Sequence, residues 1–182
     1  IGGNSGLAWR VDAVQHYAFS PDMMRAMLEA GQYPVDGMWR LVTYPFVHIQ
    51  ITHTVFVVAI LLALGKFVGE SFRGWALLAV FAVSSVVGAL ALTAVSSVHQ
   101  TLLGGYPPVY GLIGAFSYLL WTRLEGTGAR RYRAFTMIGF LLLAQLLFGV
   151  LFGTGSEWVA DMAGFAAGFL LSFFVAPGGF EK

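Results

Sequence analysis

The chain has 182 residues, of which 58% are hydrophobic and 10% are charged, and its mean hydropathy is +0.76. A water-soluble globule needs more polar surface than this composition supplies, so we expect an integral membrane protein. The formal net charge of +1 gives no reason to expect a nucleic-acid partner, and the lack of cysteine excludes disulfides and a thiol nucleophile.

Residues 1–50 contain no uninterrupted apolar run long enough to cross a bilayer, so we expect an external loop segment with short interfacial helices. One of these helices has clear boundary signals. Ser20, Pro21 and Asp22 are typical of a helix start, and Gly31 is typical of its end. The apolar face of this helix predicts contact either with the membrane surface or with the rest of the protein, and the pattern does not decide between them.

The rest of the chain is dominated by apolar runs, each about long enough to span a bilayer at about 1.5 Å per residue. We expect five spans, at roughly Ile51–Val68, Trp75–Val98, Val109–Leu124, Ala134–Phe152 and Trp158–Ala176. No stretch alternates polar and apolar residues, so the prediction is an all-α bundle. It forms a single membrane domain over residues 1–182, with the spans within 51–176 and a tail at 177–182.

Basic residues concentrate in two of the connecting segments, 66–74 and 123–133, which we therefore expect on the cytoplasmic side. Segments 99–108 and 153–157 carry almost no positive charge and are expected outside. Because this order also places the amino-terminal segment outside, we expect a further span or signal upstream of Ile1.

The stretch before the third predicted span combines glycines and prolines around one tyrosine. Gly104 and Gly105 precede Tyr106, and Pro107 and Pro108 follow it. A tight loop that leads directly into a helix is a common way to present a reactive group. Here, however, the residue at the start of the helix is a phenol, and the prolines have no N–H to stabilise a developing anion.

Two helix faces are lined by small and polar residues. On the third span they are Tyr106, Tyr110, Gly114 and Ser117, and on the last they are Asp161, Gly164 and Gly168. The glycines are expected to serve helix packing. If the two faces meet, Asp161 lies beside Tyr106 and Tyr110. A carboxylate in a span needs a partner, and the sequence leaves open whether Asp161 has a structural or a functional role.

The histidines give little support for a metal site. His48 and His53 are five residues apart, which on a helix would point them in different directions, and the spacing does not favour a set with His99 and Asp161. We therefore predict no metal, and we interpret the histidines as hydrogen-bonded core residues.

Taken together, these motifs resemble those of the rhomboid intramembrane serine proteases. Trp39-Arg40 is similar to the pair in the family's first loop, and His48 and His53 are similar to its HxxxxHxxxN pattern. Tyr110 and Gly114 follow the glycine loop with the spacing of GxSGxxxxxG. The last helix resembles AHxxGxxxG, with the two glycines at Gly164 and Gly168.

Position by position, the resemblance implies that the catalytic residues are replaced. The serine nucleophile corresponds to Tyr106, the following glycine to Pro107 and the histidine base to Asp161. The asparagine that helps to hold the oxyanion corresponds to Val57, whereas His53, its partner in that role, is retained. A nucleophile without a base or an oxyanion site has little activity, so the resemblance implies a pseudoprotease with no catalytic residue and no cofactor.

The leading functional hypothesis is a non-catalytic protein of the bacterial inner (plasma) membrane. Its expected partners are membrane lipids and the transmembrane helices of client or complex proteins, for which it acts as a recognition factor or accessory subunit. One alternative is an active protease that uses Tyr106 or Ser117 as an unusual nucleophile. Another is a small transporter or proton pathway through Asp161.

Overall fold

The computed structural model describes residues 3–96, 99–125, 130–141, 143 and 156–177. Within these ranges the regular elements are helices, as predicted, and the only strand-like pairing is an isolated bridge between Phe19 and Leu102. The helices are α1 (Gly3–Tyr17), α2 (Pro21–Ala30), α3 (Val35–Thr43), α4 (Ile51–Gly69), α5 (Gly74–Val95), α6 (Tyr106–Arg123), α7, which begins at residue 136, and α8 (Glu157–Val175). Short 3-10 helices cover Tyr44–Phe46 and Arg131–Phe135.

Among the described residues, three helices are long and apolar enough to cross a membrane, namely α4, α5 and α8. Helix α6 has 18 residues but is not among them, because its prolines, its tyrosines and Arg123 lower its mean hydropathy. It lies at the centre of the bundle, in contact with α4, α5 and α8, and the predicted number of spans stays a prediction. The predicted span Ala134–Phe152 lies mostly outside the described residues.

Helix α2 starts and ends where the sequence predicts. The Ser20 side chain accepts a hydrogen bond from the Met23 amide, Pro21 occupies the first turn, and Gly31 ends the helix with a left-handed φ of 62°. Met24 and Met27 are buried, which answers the question that the sequence left open, because this face packs on the rest of the protein.

Hydrogen bonds fasten the amino-terminal segment to the far end of α5. The Phe19 amide donates to the Leu102 carbonyl at 3.0 Å, and the Leu102 amide donates back to Phe19 at 2.8 Å. Arg25 donates to the carbonyls of Thr93 at 2.9 Å and Ser96 at 2.6 Å, at the end of α5, where backbone carbonyls have no partner further along the helix. Helix α2 is therefore a fixed part of the bundle.

Helices α6 and α8 approach closely through glycines. A Cβ on Gly168 would overlap the carbonyl oxygen of Gly111, and a Cβ on Gly164 would overlap that of Pro107. A Cβ on Gly114 would likewise overlap the Phe165 carbonyl oxygen. The two small-residue faces therefore lie against each other, with backbone in contact with backbone.

The bundle has a basic end and an opposite end that carries the glycine loop. Arg123, at the end of α6, donates to the Ser71 hydroxyl at 3.3 Å, which places the α4–α5 connection beside the end of α6. This arrangement agrees with the prediction that segments 66–74 and 123–133 lie on one side. Residues 126–129 and 153–155 of the predicted loops lie outside the described residues.

Candidate functional site

The glycine loop is shaped by one left-handed residue and two close contacts. Gly104 has a φ of 88° and donates its amide to the Tyr44 carbonyl at 3.0 Å. A Cβ on Gly104 would lie 2.6 Å from Cε1 of His53, and one on Gly105 would lie 2.8 Å from Cγ1 of Val57. Side chains of α4 thus fill the space directly behind the loop.

Helix α6 begins at Tyr106 and not at Val109, where we had expected the span to begin. The reason is that Pro107 and Pro108 fall in the first turn, where the backbone N–H has no partner within the helix and proline is tolerated. Both prolines are buried. The loop therefore passes into the helix without any intervening residues.

Tyr106 lies flat against His53 at the outer end of α4. The ring centroids are 4.6 Å apart with an interplanar angle of 30°, and Tyr106 is 38% exposed. The ring therefore covers His53 and presents its remaining surface at the mouth of the site. A serine at this position could not make that contact, because it has no ring.

His48 and His53 are closer together than the sequence argument allowed. Their rings meet edge to face with centroids 5.2 Å apart. The prediction that the two rings point in different directions was wrong. It assumed one helix for both residues, whereas His48 precedes α4, which begins at Ile51. The predicted hydrogen bonding is also incorrect for one atom of each ring, because both Nε2 atoms are buried and have no hydrogen-bond partner among the described residues.

Asp161 is 5% exposed on α8, and its charge acts on the phenols of Tyr44, Tyr106 and Tyr110. The structure thus brings Tyr106 and Tyr110 towards the carboxylate, as expected if the faces of α6 and α8 meet. Tyr44 was missed. It lies in the 3-10 helix before α4, far from Asp161 in sequence, and no spacing pattern could have linked the two.

Tyr44 is fully buried, and its hydroxyl donates to the Ser85 carbonyl at 3.0 Å. Burial raises the pKa of Tyr44 well above its ordinary value near 10, and the charge of Asp161 raises it further. Because the folded protein favours the neutral phenol, this contribution to stability is complete below about pH 10 and is lost as the pH rises above it.

Replacing Tyr44 with phenylalanine should therefore have two effects. At pH 8 the free energy of unfolding should fall by about 0.5–1.5 kcal/mol, because the hydrogen bond to Ser85 is lost. Between pH 8 and pH 11 the free energy of unfolding should fall by about 1.4 kcal/mol more in the wild type than in the variant. Only the wild type carries this phenol, which ionises in the unfolded chain but stays neutral in the folded protein. Unfolding in mixed micelles, followed by circular dichroism at both pH values, measures the difference.

The exposed Tyr33 provides the matched control for this experiment. Tyr33→Phe should follow the wild type at both pH values, since no buried hydrogen bond is removed. If the free energy of unfolding falls equally between pH 8 and pH 11 in the wild type and in Tyr44→Phe, the Tyr44 phenol does not cause the pH dependence.

The chemistry available at this site is limited. It contains phenols, a carboxylate and imidazole, and Pro107 offers no N–H beside Tyr106. Ser84 and Ser117 are fully buried, and within the described part of the chain their hydroxyls have no hydrogen-bond partner. Among the residues that the structure describes, no three His, Asp or Glu side chains form a metal-binding group.

Trp39 and Arg40 of α3 have different surroundings. Trp39 is exposed, whereas Arg40 donates to the carbonyls of Ala18 at 2.9 Å and Gln15 at 2.6 Å. Arg40 thereby holds α3 against the connection between α1 and α2. Its contribution to the site is indirect, since it fixes the segment that leads to Tyr44.

Comparison with known protein families gives one match. Residues 35–178 match the Rhomboid domain family, a range that runs from the start of α3 to beyond the end of α8 and includes every residue of the site described above. The search of curated proteins returned no match.

Proposed function

The chain belongs to the rhomboid family, and on this premise we propose that it is a non-catalytic member that binds the transmembrane helices of other proteins. The observation that carries the proposal is the stacking of Tyr106 on His53 at the start of α6. In the proteases of this family the resemblance puts a serine nucleophile at that position. Where the proteases have a serine followed by a glycine, this chain has a phenol and a proline. It therefore lacks both the small hydroxyl and one backbone N–H donor.

The bundle itself argues for a retained binding role. The glycine contacts between α6 and α8 are tight, and Arg25 and Arg40 fix the external segment in place. Most substitutions at these glycines would destabilise the protein, because a larger side chain would push α6 and α8 apart. An ordered helical frame that needs no nucleophile is what a client-recognition factor or an accessory subunit requires.

Of the three described helices that could cross a membrane, α4 offers the most accessible surface for a client helix. Only 17% of its apolar window is buried inside the protein. His53, near its start, contacts Tyr106, and Phe56, one turn further along, is 64% exposed. A client that docks on α4 would therefore lie beside the mouth of the site, and its apolar residues would pack against Phe56.

Photo-crosslinking in native membranes tests this docking position. A photoreactive residue at Phe56 should give discrete crosslinked bands with membrane proteins. The control is Leu78 on α5, which is 72% exposed and equally apolar, so it reports collisions with neighbouring proteins that any lipid-facing residue would make. Equal crosslinking patterns from the two positions would argue against a client surface on α4.

The proposal also predicts a lack of hydrolysis. The reconstituted protein should not cleave model transmembrane substrates of rhomboid proteases and should not react with a fluorophosphonate, because no activated hydroxyl lies at the mouth of the site. Gel analysis of substrate after long incubation, beside an active rhomboid protease, measures this. A reproducible cleavage that disappears in Tyr106→Phe would contradict the proposal.

The two alternative functions have less support. A protease that used Ser117 would need substrate to reach a fully buried hydroxyl about three turns into α6. A proton pathway through Asp161 would need further polar groups across the bundle, whereas the groups around Asp161 gather at the outer end. Proton flux in vesicles that is lost in Asp161→Asn would favour the pathway.

A further inference from the structure

A cavity opens at the basic end of the bundle, opposite to the site described above. It has a volume of about 240 Å³ and lies between the start of α5 and the end of α8. Its lining residues are Arg73, Trp75, Phe174, Val175, Ala176 and Pro177. One guanidinium, one indole and several apolar side chains thus share one recess.

The lining divides into a polar side and an apolar side. Arg73 is exposed directly before α5, and no acidic side chain pairs with it among the described residues. Trp75 is 55% exposed two residues later. On the other side, Phe174 and Val175 are the last residues of an apolar helix that is long enough to cross the membrane. A ligand for this cavity must therefore be amphiphilic.

The charge at this end of the bundle indicates the sign of the ligand. Segments 66–74 and 123–133 contain six basic side chains and two acidic ones. Such an excess attracts anionic lipid headgroups to the cytoplasmic face of a membrane. Tryptophan is the side chain that membrane proteins place at the level of the headgroups, and Trp75 lies there if α5 spans the bilayer.

We propose that this cavity binds one anionic phospholipid of the inner leaflet. The Arg73 guanidinium contacts the phosphate through paired N–H donors. The Trp75 indole lies against the glycerol region, and an acyl chain follows Phe174 and Val175 along the outside of α8. The site is separate from the region around Tyr106, and it requires neither hydrolysis nor client binding.

Native mass spectrometry of the full chain released from mixed micelles tests the proposal. The probes are phosphatidylglycerol, which is anionic, and phosphatidylcholine of the same acyl chains, which is zwitterionic. The protein should retain one phosphatidylglycerol molecule in preference to phosphatidylcholine. Arg73→Gln should weaken this retention about tenfold, because a charge-assisted contact with the phosphate is lost.

Two further variants separate a site from general charge attraction. Lys66→Gln removes the same charge at the same end of the bundle but does not line the cavity, so retention should change less than twofold. Arg73→Lys keeps the charge and should retain more lipid than Arg73→Gln. Arg73 is exposed, so both of its variants should fold, and circular dichroism checks this.

Equal retention of the two lipids, or equal losses in Arg73→Gln and Lys66→Gln, would overturn the proposal. Unchanged retention in Arg73→Gln would overturn it as well. In that case the cavity belongs to another occupant.

Discussion

Replacing Gly168 with alanine is expected to lower the free energy of unfolding by about 3 kcal/mol. The new Cβ would overlap the Gly111 carbonyl oxygen and would lie 2.6 Å from the carbonyl carbon and 2.7 Å from the Cα atom. All three are backbone atoms of α6, so no side chain can rotate away, and α8 must move instead. Reversible unfolding in mixed micelles, followed by circular dichroism, measures the loss.

The control for this substitution is Gly65→Ala in α4. No atom of the residues that the structure describes lies within 4 Å of a Cβ at Gly65, so alanine should be neutral or should stabilise the helix by up to about 0.8 kcal/mol. The difference between the two variants isolates the clash from the change in helix propensity. If both variants unfold with the same free energy, helices α6 and α8 are not in backbone contact at Gly168.

The second large effect is expected at Gly104. Alanine there must adopt a φ of 88°, and its Cβ would lie 2.6 Å from Cε1 of His53. Backbone strain of about 1–3 kcal/mol and a steric clash of about 1–3 kcal/mol should add, so we expect a loss of about 2–6 kcal/mol. The same unfolding measurement gives this value.

A double-mutant cycle with His53→Ala separates the two contributions. In the His53→Ala background the clash is absent, so Gly104→Ala should cost only the backbone strain. Gly31→Ala measures this strain independently, because Gly31 has a φ of 62° and no atom within 4 Å of a Cβ. Purely additive effects of Gly104→Ala and His53→Ala would show that the imidazole does not press on the loop.

Features that depend on local sequence were predictable. Composition alone indicates a membrane protein, and Ser20, Pro21 and Gly31 give the bounds of α2 because capping involves only neighbouring residues. The meeting of the two glycine-lined faces also follows from residue spacing, since a helix fixes which side chains share a face. These are short-range rules, and the structure agrees with them.

Features that depend on tertiary contacts were not predictable. The influence of the Asp161 charge on Tyr44 results from the path of the segment before α4, which Arg40 and the Gly104 amide hold in place. The approach of His48 to His53 depends on α4 starting at Ile51, a boundary without a capping side chain. Neither fact leaves a periodic signal in the sequence.

The pairing of Phe19 with Leu102 has a consequence for biosynthesis. Leu102 follows α5 in the chain, so the ribosome makes Phe19 long before it makes the partner of Phe19. The two residues can therefore pair only after the chain has been made through α4 and α5 as far as Leu102.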